Sequence, residues 1–442
     1  GEGGGADGAP PAEDTSGQSS YFRVHGGGAA DLFHGVAALP GGNTVIVGIT
    51  DSAGAGSRDI SVVTLDRAGA IVSSRVLGAI NNDQLYSVAP RADGGFYAAG
   101  LSRSFPSSSA RQDDGLVVRF APDGAVLWSR ALGGNANDIF FGAAATSDGV
   151  VVVGRTESTG AGGRDAWIAK LDPDGSVLWE RTFGGVGEDL FRSVSVGPDG
   201  TIYAVGRTDS FGAGGFDALV ASFDPAGKKR SARALGGVNQ DGANIVRAHG
   251  GSIFVAGETQ SFGVGLADGW LLSLDDALAV TWTRSVGTAR ADLLCGLAAT
   301  DDRIYALGTT QVDTGGPTSI LGVAFDRVRG ELLWSKRIGD DAPTTTSFES
   351  LALGDDGSLL LVGSQQPVGG SPDSLAVRIT SLGELRGACS AKVADARASV
   401  TTPTLGNEAP IAAAAAAVNR APIAAPLQEA AGLAEVPQQC AP

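Results

Sequence analysis

The chain has 442 residues, 43% of them hydrophobic, with 67 glycines, no methionine and a formal net charge of −16. That charge argues against a nucleic-acid partner, whose phosphates such a surface repels, and no apolar run approaches the length of a membrane-spanning helix. Frequent Gly, Val, Ala, Thr and Asp, with few long helix formers, indicate short strands joined by tight turns.

In chain order, residues 1–19 read as a disordered Gly/Pro/acidic tether, too polar to bury the surface that ordering requires. The absence of methionine predicts that an amino-terminal segment has been removed, as on export. Residues 20–388 then carry a basic column at Arg23, Arg75, Arg130, Arg181, Arg233, Arg284 and Lys336, set in frames such as LWSRALGG, LWERTFGG and TWTRSVG. A period of about 50 residues sustained over this length marks a closed repeat architecture.

One unit, Asp189 to Gly237, shows the plan. DLFRSVSV ends at Pro198-Asp199-Gly200, TIYAVGRT leads into the loop DSFGAGG, DALVASFD ends at Pro225-Ala226-Gly227, and KKRSARALGG passes to the next unit. Short strands punctuated by Asp-Gly and Pro-Gly form an antiparallel meander, so the expected fold is all-β, a seven-bladed β-propeller of four-stranded blades. The last unit lacks its fourth strand, and Tyr21-Phe22-Arg23-Val24 matches the missing one. The amino terminus is therefore expected to close the ring, removing an open strand edge. Residues 389–442 form an Ala/Pro-rich extension expected as short helical turns or a loose segment. Cys389 and Cys440 bracket it and are a disulfide candidate, whereas Cys295 lies in an apolar strand pattern as a buried thiol.

Three columns bear on function. Asp31, Asp83, Asp138, Asp189, Asp241 and Asp292 open the first strands, with Thr346 as the odd member. Their expected role is to cap turns through nearby backbone N–H groups; as oxygen ligands they are also weak Ca²⁺ candidates. A second acidic column, at Asp59, Asp114, Asp165, Asp217, Asp268 and Asp373, suggests diagonal Asp–Arg pairs such as Asp165 with Arg181. The third column stands three residues after each opening Asp and carries His34, Tyr86, Phe141, Arg192, Asn244, Cys295 and Glu349. Its neighbours repeat while it varies, so it is placed on the wall of the central channel and offers a polar ligand pocket.

The unit GRTDSFGAGGFDALVASFDPAG, followed by WxRxxGG in its neighbours, resembles the SBBP type of seven-bladed repeat found in exported bacterial proteins and lipoproteins. That resemblance implies a surface or periplasmic binding or scaffold protein. The start of the chain is similar to the tether that follows a lipidated cysteine, which implies a lipid anchor upstream of Gly1. A weaker similarity to quinoprotein repeats rests on Gly175 to Trp179 and Gly330 to Trp334, without a cofactor pocket.

No HExxH, CxxC, GxSxG or Walker pattern is present, so no cofactor and no enzymatic activity is expected. The expected function is an exported binding or scaffold propeller that recognises a protein or glycan at the cell surface through an acidic, loop-rich face. Alternatives are a structural subunit, homo-oligomeric or otherwise, docking through the carboxyl-terminal tail, and a hydrolase or lyase in the channel. For the latter, His34 with Glu349 from adjacent blades is the acid–base candidate.

Overall fold

The computed structural model describes residues 15–105, 112–311, 317–339, 344–396, 398–403, 407–410, 416–417, 423–424 and 428–431. Alternating strands and glycine turns fold into seven antiparallel sheets, one per repeat, arranged as the blades of a propeller. Blade 3 is representative, with strands Asp138–Thr146, Gly149–Thr156, Asp165–Leu171 and Val177–Phe183. Its second and third strands, GVVVVGRT and DAWIAKL, are buried on both faces apart from one partly exposed residue, Arg155. Each is sandwiched between flanking blades, which explains near-continuous apolar runs where a half-exposed sheet would alternate. The stacked rings of Phe140 and Trp167, 4.0 Å apart, lie in this core.

The ring closes as the sequence implies. Tyr21–His25 pairs antiparallel with Asp373–Ile379, in register from Tyr21↔Arg378 to His25↔Ser374, and completes blade 7. Phe22 is fully buried among Leu375 and Val377 of blade 7 and Leu307 and Ile320 of blade 6, so closure is sealed by packing as well as by the ladder. Part of the segment before this strand is also held in place. Gln18 bonds Ser381, and Arg386 donates to the carbonyl and hydroxyl of Thr15.

The aromatic column staples neighbouring blades. Trp128, Trp179 and Trp334 donate their indole N–H to the carbonyls of Pro173, Pro225 and Ser381, each in the last turn of the following blade. Gly227 shows the steric requirement. Its φ is +77°, and a Cβ there would stand 2.7 Å from the Trp179 ring, so only glycine permits both the turn and the contact.

Arg130, Arg181 and Arg284 make other contacts than the Asp–Arg pairs expected of the basic column. Arg181 stands opposite Ile168, three residues beyond Asp165, and donates to the Glu180 carbonyl with its guanidinium over Trp179. Arg130 and Arg284 likewise lie over Trp128 and Trp282 and donate to the carbonyls of Asp174 and Gly330 in the next blade. Arg23, Arg130 and Arg284 thus join blades through turn carbonyls, which need donors as much as a carboxylate does.

The carboxyl-terminal extension also departs from expectation. After a short 3-10 turn at Gly387–Lys392, its described pieces are strands: Val393–Asp395, Ser399–Thr401, Asn407–Pro410, Ala416–Ala417, Ile423–Ala424 and Gln428–Ala431. They pair antiparallel with the outer strands of blades 6, 5, 4, 3, 2 and 1 in that order. Edge strands attract extended chain regardless of its helical propensity. The tail thus girdles its own propeller, which leaves these segments engaged rather than presented for docking elsewhere. Cys389 is buried, and Cys440, its expected partner, lies outside the described residues. Among the described residues no helix is long and apolar enough to cross a membrane.

Candidate functional site

The variable column is set apart by the backbone. In every blade the ladder between first and second strands slips by one residue, and the extra residue is His34, Tyr86, Phe141, Arg192, Asn244, Cys295 or Glu349. A bulge turns its extra side chain away from the sheet face it would otherwise share. All seven turn into the channel, where they line one chamber of about 180 Å³. Flanking residues at Gly35, Ser87, Gly142, Ser193, Gly296 and Ser350 keep the wall thin enough for blades to meet: a Cβ on Gly35 would approach the Tyr86 carbonyl and Ser87 Cα to 3.1 Å.

The ring is divided by chemistry. Blades 1 to 3 contribute a ladder of rings, His34 on Tyr86 at 5.3 Å and Tyr86 on Phe141 at 5.8 Å between centroids. Blades 4 to 7 contribute Arg192, Asn244, Cys295 and Glu349. Asn244 donates to the Leu294 carbonyl at 3.1 Å and Cys295 to that of Phe348 at 3.3 Å, so both side chains are fixed against the next blade. Arg192 and Glu349 are exposed to the channel space.

Electrostatics follow from enclosure. Burial, opposed by the Arg192 charge, pushes the Glu349 carboxyl up to about 7. Burial and then the Glu349 charge hold the Cys295 thiol well above its ordinary value, so it is a poor nucleophile. Burial and then Arg58 lower His34 to about 4, which leaves it neutral at physiological pH. The ring of His34 lies on Tyr86, and the charge that reaches Glu349 is that of Arg192.

One channel residue escaped the sequence reading. Three positions beyond the bulge, the wall carries Ala37, Ala89, Ala144, Ser195, Arg247, Ala298 and Ala352. Arg247 alone is large. It borders both this chamber and a second one of about 420 Å³ toward the opposite face, so it stands at the waist of the channel. The signal was available, since a single Arg interrupts a column of small residues.

The opening aspartates are buried and occupied as turn caps. Asp31 accepts from Gly27 N–H and Ser52 Oγ, both at 2.8 Å, and Asp189 from Gly185 N–H at 2.8 Å and Ser210 Oγ at 2.7 Å. Asp83, Asp138, Asp241 and Asp292 repeat the scheme with Ala79, Gly134, Gly237 and Thr288. Each Ca²⁺ candidate thus has at least one carboxylate oxygen engaged by N–H and O–H donors, Asp31, Asp189 and Asp292 keep a buried Oδ1 without a partner, and the described residues contain no cluster of three or more His, Cys, Asp or Glu side chains able to hold a metal. Burial also removes this column from the face offered to a partner. What the loops display instead is apolar, with Ile80, Val186, Val238, Leu266 and Val368 each more than 70% exposed.

No protein-family model matches the chain. It is 24% identical over 413 residues to the regulatory protein FlaEY of Caulobacter vibrioides, a match covering 77% of this chain and 42% of that protein. The chain therefore spans less than half the length of that relative. Among solved structures it is similar to the endosialidase of phage phi92, at 10% identity and a TM-score of 0.47, covering 82% of this chain and 69% of that one. A NanB sialidase variant from Streptococcus pneumoniae is similar at 9% identity and a TM-score of 0.39, covering 84% and 70%. Such likenesses concern the fold alone. Propellers of this fold include enzymes by name, so the expectation that the chain is not an enzyme is withdrawn. That expectation rested on missing local motifs, whereas a propeller assembles a site from residues on separate blades, which no short motif records. The class defined by fold and site is a seven-bladed propeller with a polar channel chamber.

Proposed function

We propose that this propeller binds a small ligand, or a short protruding part of a partner, in the channel chamber on its loop-rich side. The observation that carries this reading is the set of seven bulges. Each directs a different side chain into one space, while in six of the seven blades the positions on either side repeat, Phe or Leu before and Gly or Ser after. A purely structural bulge would require no such diversity. Exposed apolar loop tips around the same face suit a partner that brings the ligand or covers it. Export, as in the SBBP-type proteins the repeats resemble, belongs to this reading, and fractionation of the native source tests it.

The test of binding is a small-molecule screen by thermal shift on the wild type and on Asn244→Trp, which fills the chamber. Compounds that stabilise the wild type and lose that effect in the variant support the reading. Compounds that stabilise both proteins equally, or a screen without chamber-dependent hits, refute it.

A further inference from the structure

The chamber is positively charged inside a strongly acidic protein. Arg192 and Arg247 line it, and the carboxyl in the same wall, Glu349, pushed up to about 7 by burial, only partly offsets them. Arg247 donates from Nη1 to the carbonyl of its own neighbour Val246 at 3.0 Å, and makes no ion pair among the described residues. Two more guanidinium groups stand close by on the second strands of blades 3 and 4. Arg207 lies 4.3 Å over the Phe216 ring and feels the Arg192 charge, and Arg155 feels that of Arg207. Both leave a buried Nε without a partner. Glu157 and Glu188, whose charges reach Arg155, are bonded to Arg164 at 2.9 and 3.1 Å. Glu258 is the further acidic group whose charge reaches Arg207.

Lone guanidinium groups in an enclosed space are costly to keep, and an anion that accepts from them removes that cost. Resting on the channel as the binding site, we infer that the ligand is a small organic carboxylate with a ring-shaped body. Its carboxylate accepts from Arg192 and Arg247, and its ring lies on the ladder of His34, Tyr86 and Phe141. The chamber of about 180 Å³ accommodates a single ring with its acid group. The column of Arg247 shows that this residue is not demanded by the fold, since five other blades carry Ala there.

Benzoate and its neutral counterpart benzyl alcohol are the probes, measured by calorimetry on the full chain. Modification of Cys295 by a small methanethiosulfonate, followed at alkaline pH because this thiol is held well above its ordinary value, reports occupancy independently, since it lines the same chamber. Benzoate is expected to bind, to slow Cys295 modification, and to lose at least tenfold in affinity in Arg247→Ala and in Arg192→Gln. Benzyl alcohol is expected to bind at least tenfold more weakly to the wild type. If both probes bind alike and neither substitution matters, the anion assignment is overturned while the channel remains a binding site. If neither probe binds or shields Cys295, the anion assignment falls, and the screen against Asn244→Trp decides the channel on its own.

Discussion

Phe22→Ala should weaken the ring at its seam. Phe22 has no exposed surface, and its ring fills the space between blades 6 and 7 with the Lys392 ammonium 4.5 Å above it. Truncating a fully buried Phe costs about 3–5 kcal/mol from lost transfer energy and the cavity left behind, a large share of the ~5–15 kcal/mol that holds a typical domain. Urea unfolding followed by tryptophan fluorescence would read this as a lower midpoint. Deletion through His25 goes further: it removes the whole closing strand and leaves the edge of Asp373–Ile379 bare, so light scattering should rise with protein concentration. A peptide spanning residues 19–26, added in trans, should suppress that association. A loss below 1 kcal/mol in Phe22→Ala, or a truncated chain that stays monomeric with an unchanged melting temperature, would refute closure by the amino-terminal strand.

Gly227→Ala, which forces a side chain onto a left-handed turn and into the Trp179 ring, should cost roughly 1–3 kcal/mol, measured by denaturant midpoint. Acidification should first stabilise the protein. Glu349 at about 7 and Asp217 at about 6 lie above their ordinary values, so the folded state takes up protons that the unfolded state does not, and the melting temperature should rise from pH 8 to pH 6.5. His25 and His34, both lowered to about 4, oppose the trend over the same range because the unfolded imidazoles protonate around pH 6.5, so the rise is shallow and levels off below it. Glu349→Gln should flatten the upper part of the profile, and an unchanged slope would remove Glu349 as its source. For the tail, a denatured, non-reduced chain should take up one equivalent of alkylating agent, at Cys295. Uptake at all three cysteines would dismiss the Cys389–Cys440 pairing.

Blade number, closure and the channel column were all legible, because each depends on what recurs. Tyr21 to Val24 could be matched to a missing strand since its aromatic and basic positions are those of the other fourth strands. The bulge was hidden, for an extra residue is a property of pairing between strands and leaves no mark in composition; only the diversity of His34, Tyr86 and their counterparts hinted at it. Arg181 was misread because one strand's offset against the next sets it opposite Ile168 rather than within reach of Asp165. Arg247 could have been found by extending the same comparison three residues along the strand. The tail was opaque for a different reason: Pro410, Ala416 and Ile423 pair as edge additions, which need an available neighbour more than any alternation of their own.

The tail visits the blades in reverse, from blade 6 back to blade 1. Its last described strand, Gln428–Ala431, lies on the first blade and its first, Val393–Asp395, on the sixth, like hoops driven onto a cask after the staves are standing. Under reducing conditions, digestion by a carboxypeptidase should peel these hoops in a set succession, uncovering blade 1 first and blade 6 last, while the staves beneath remain uncut.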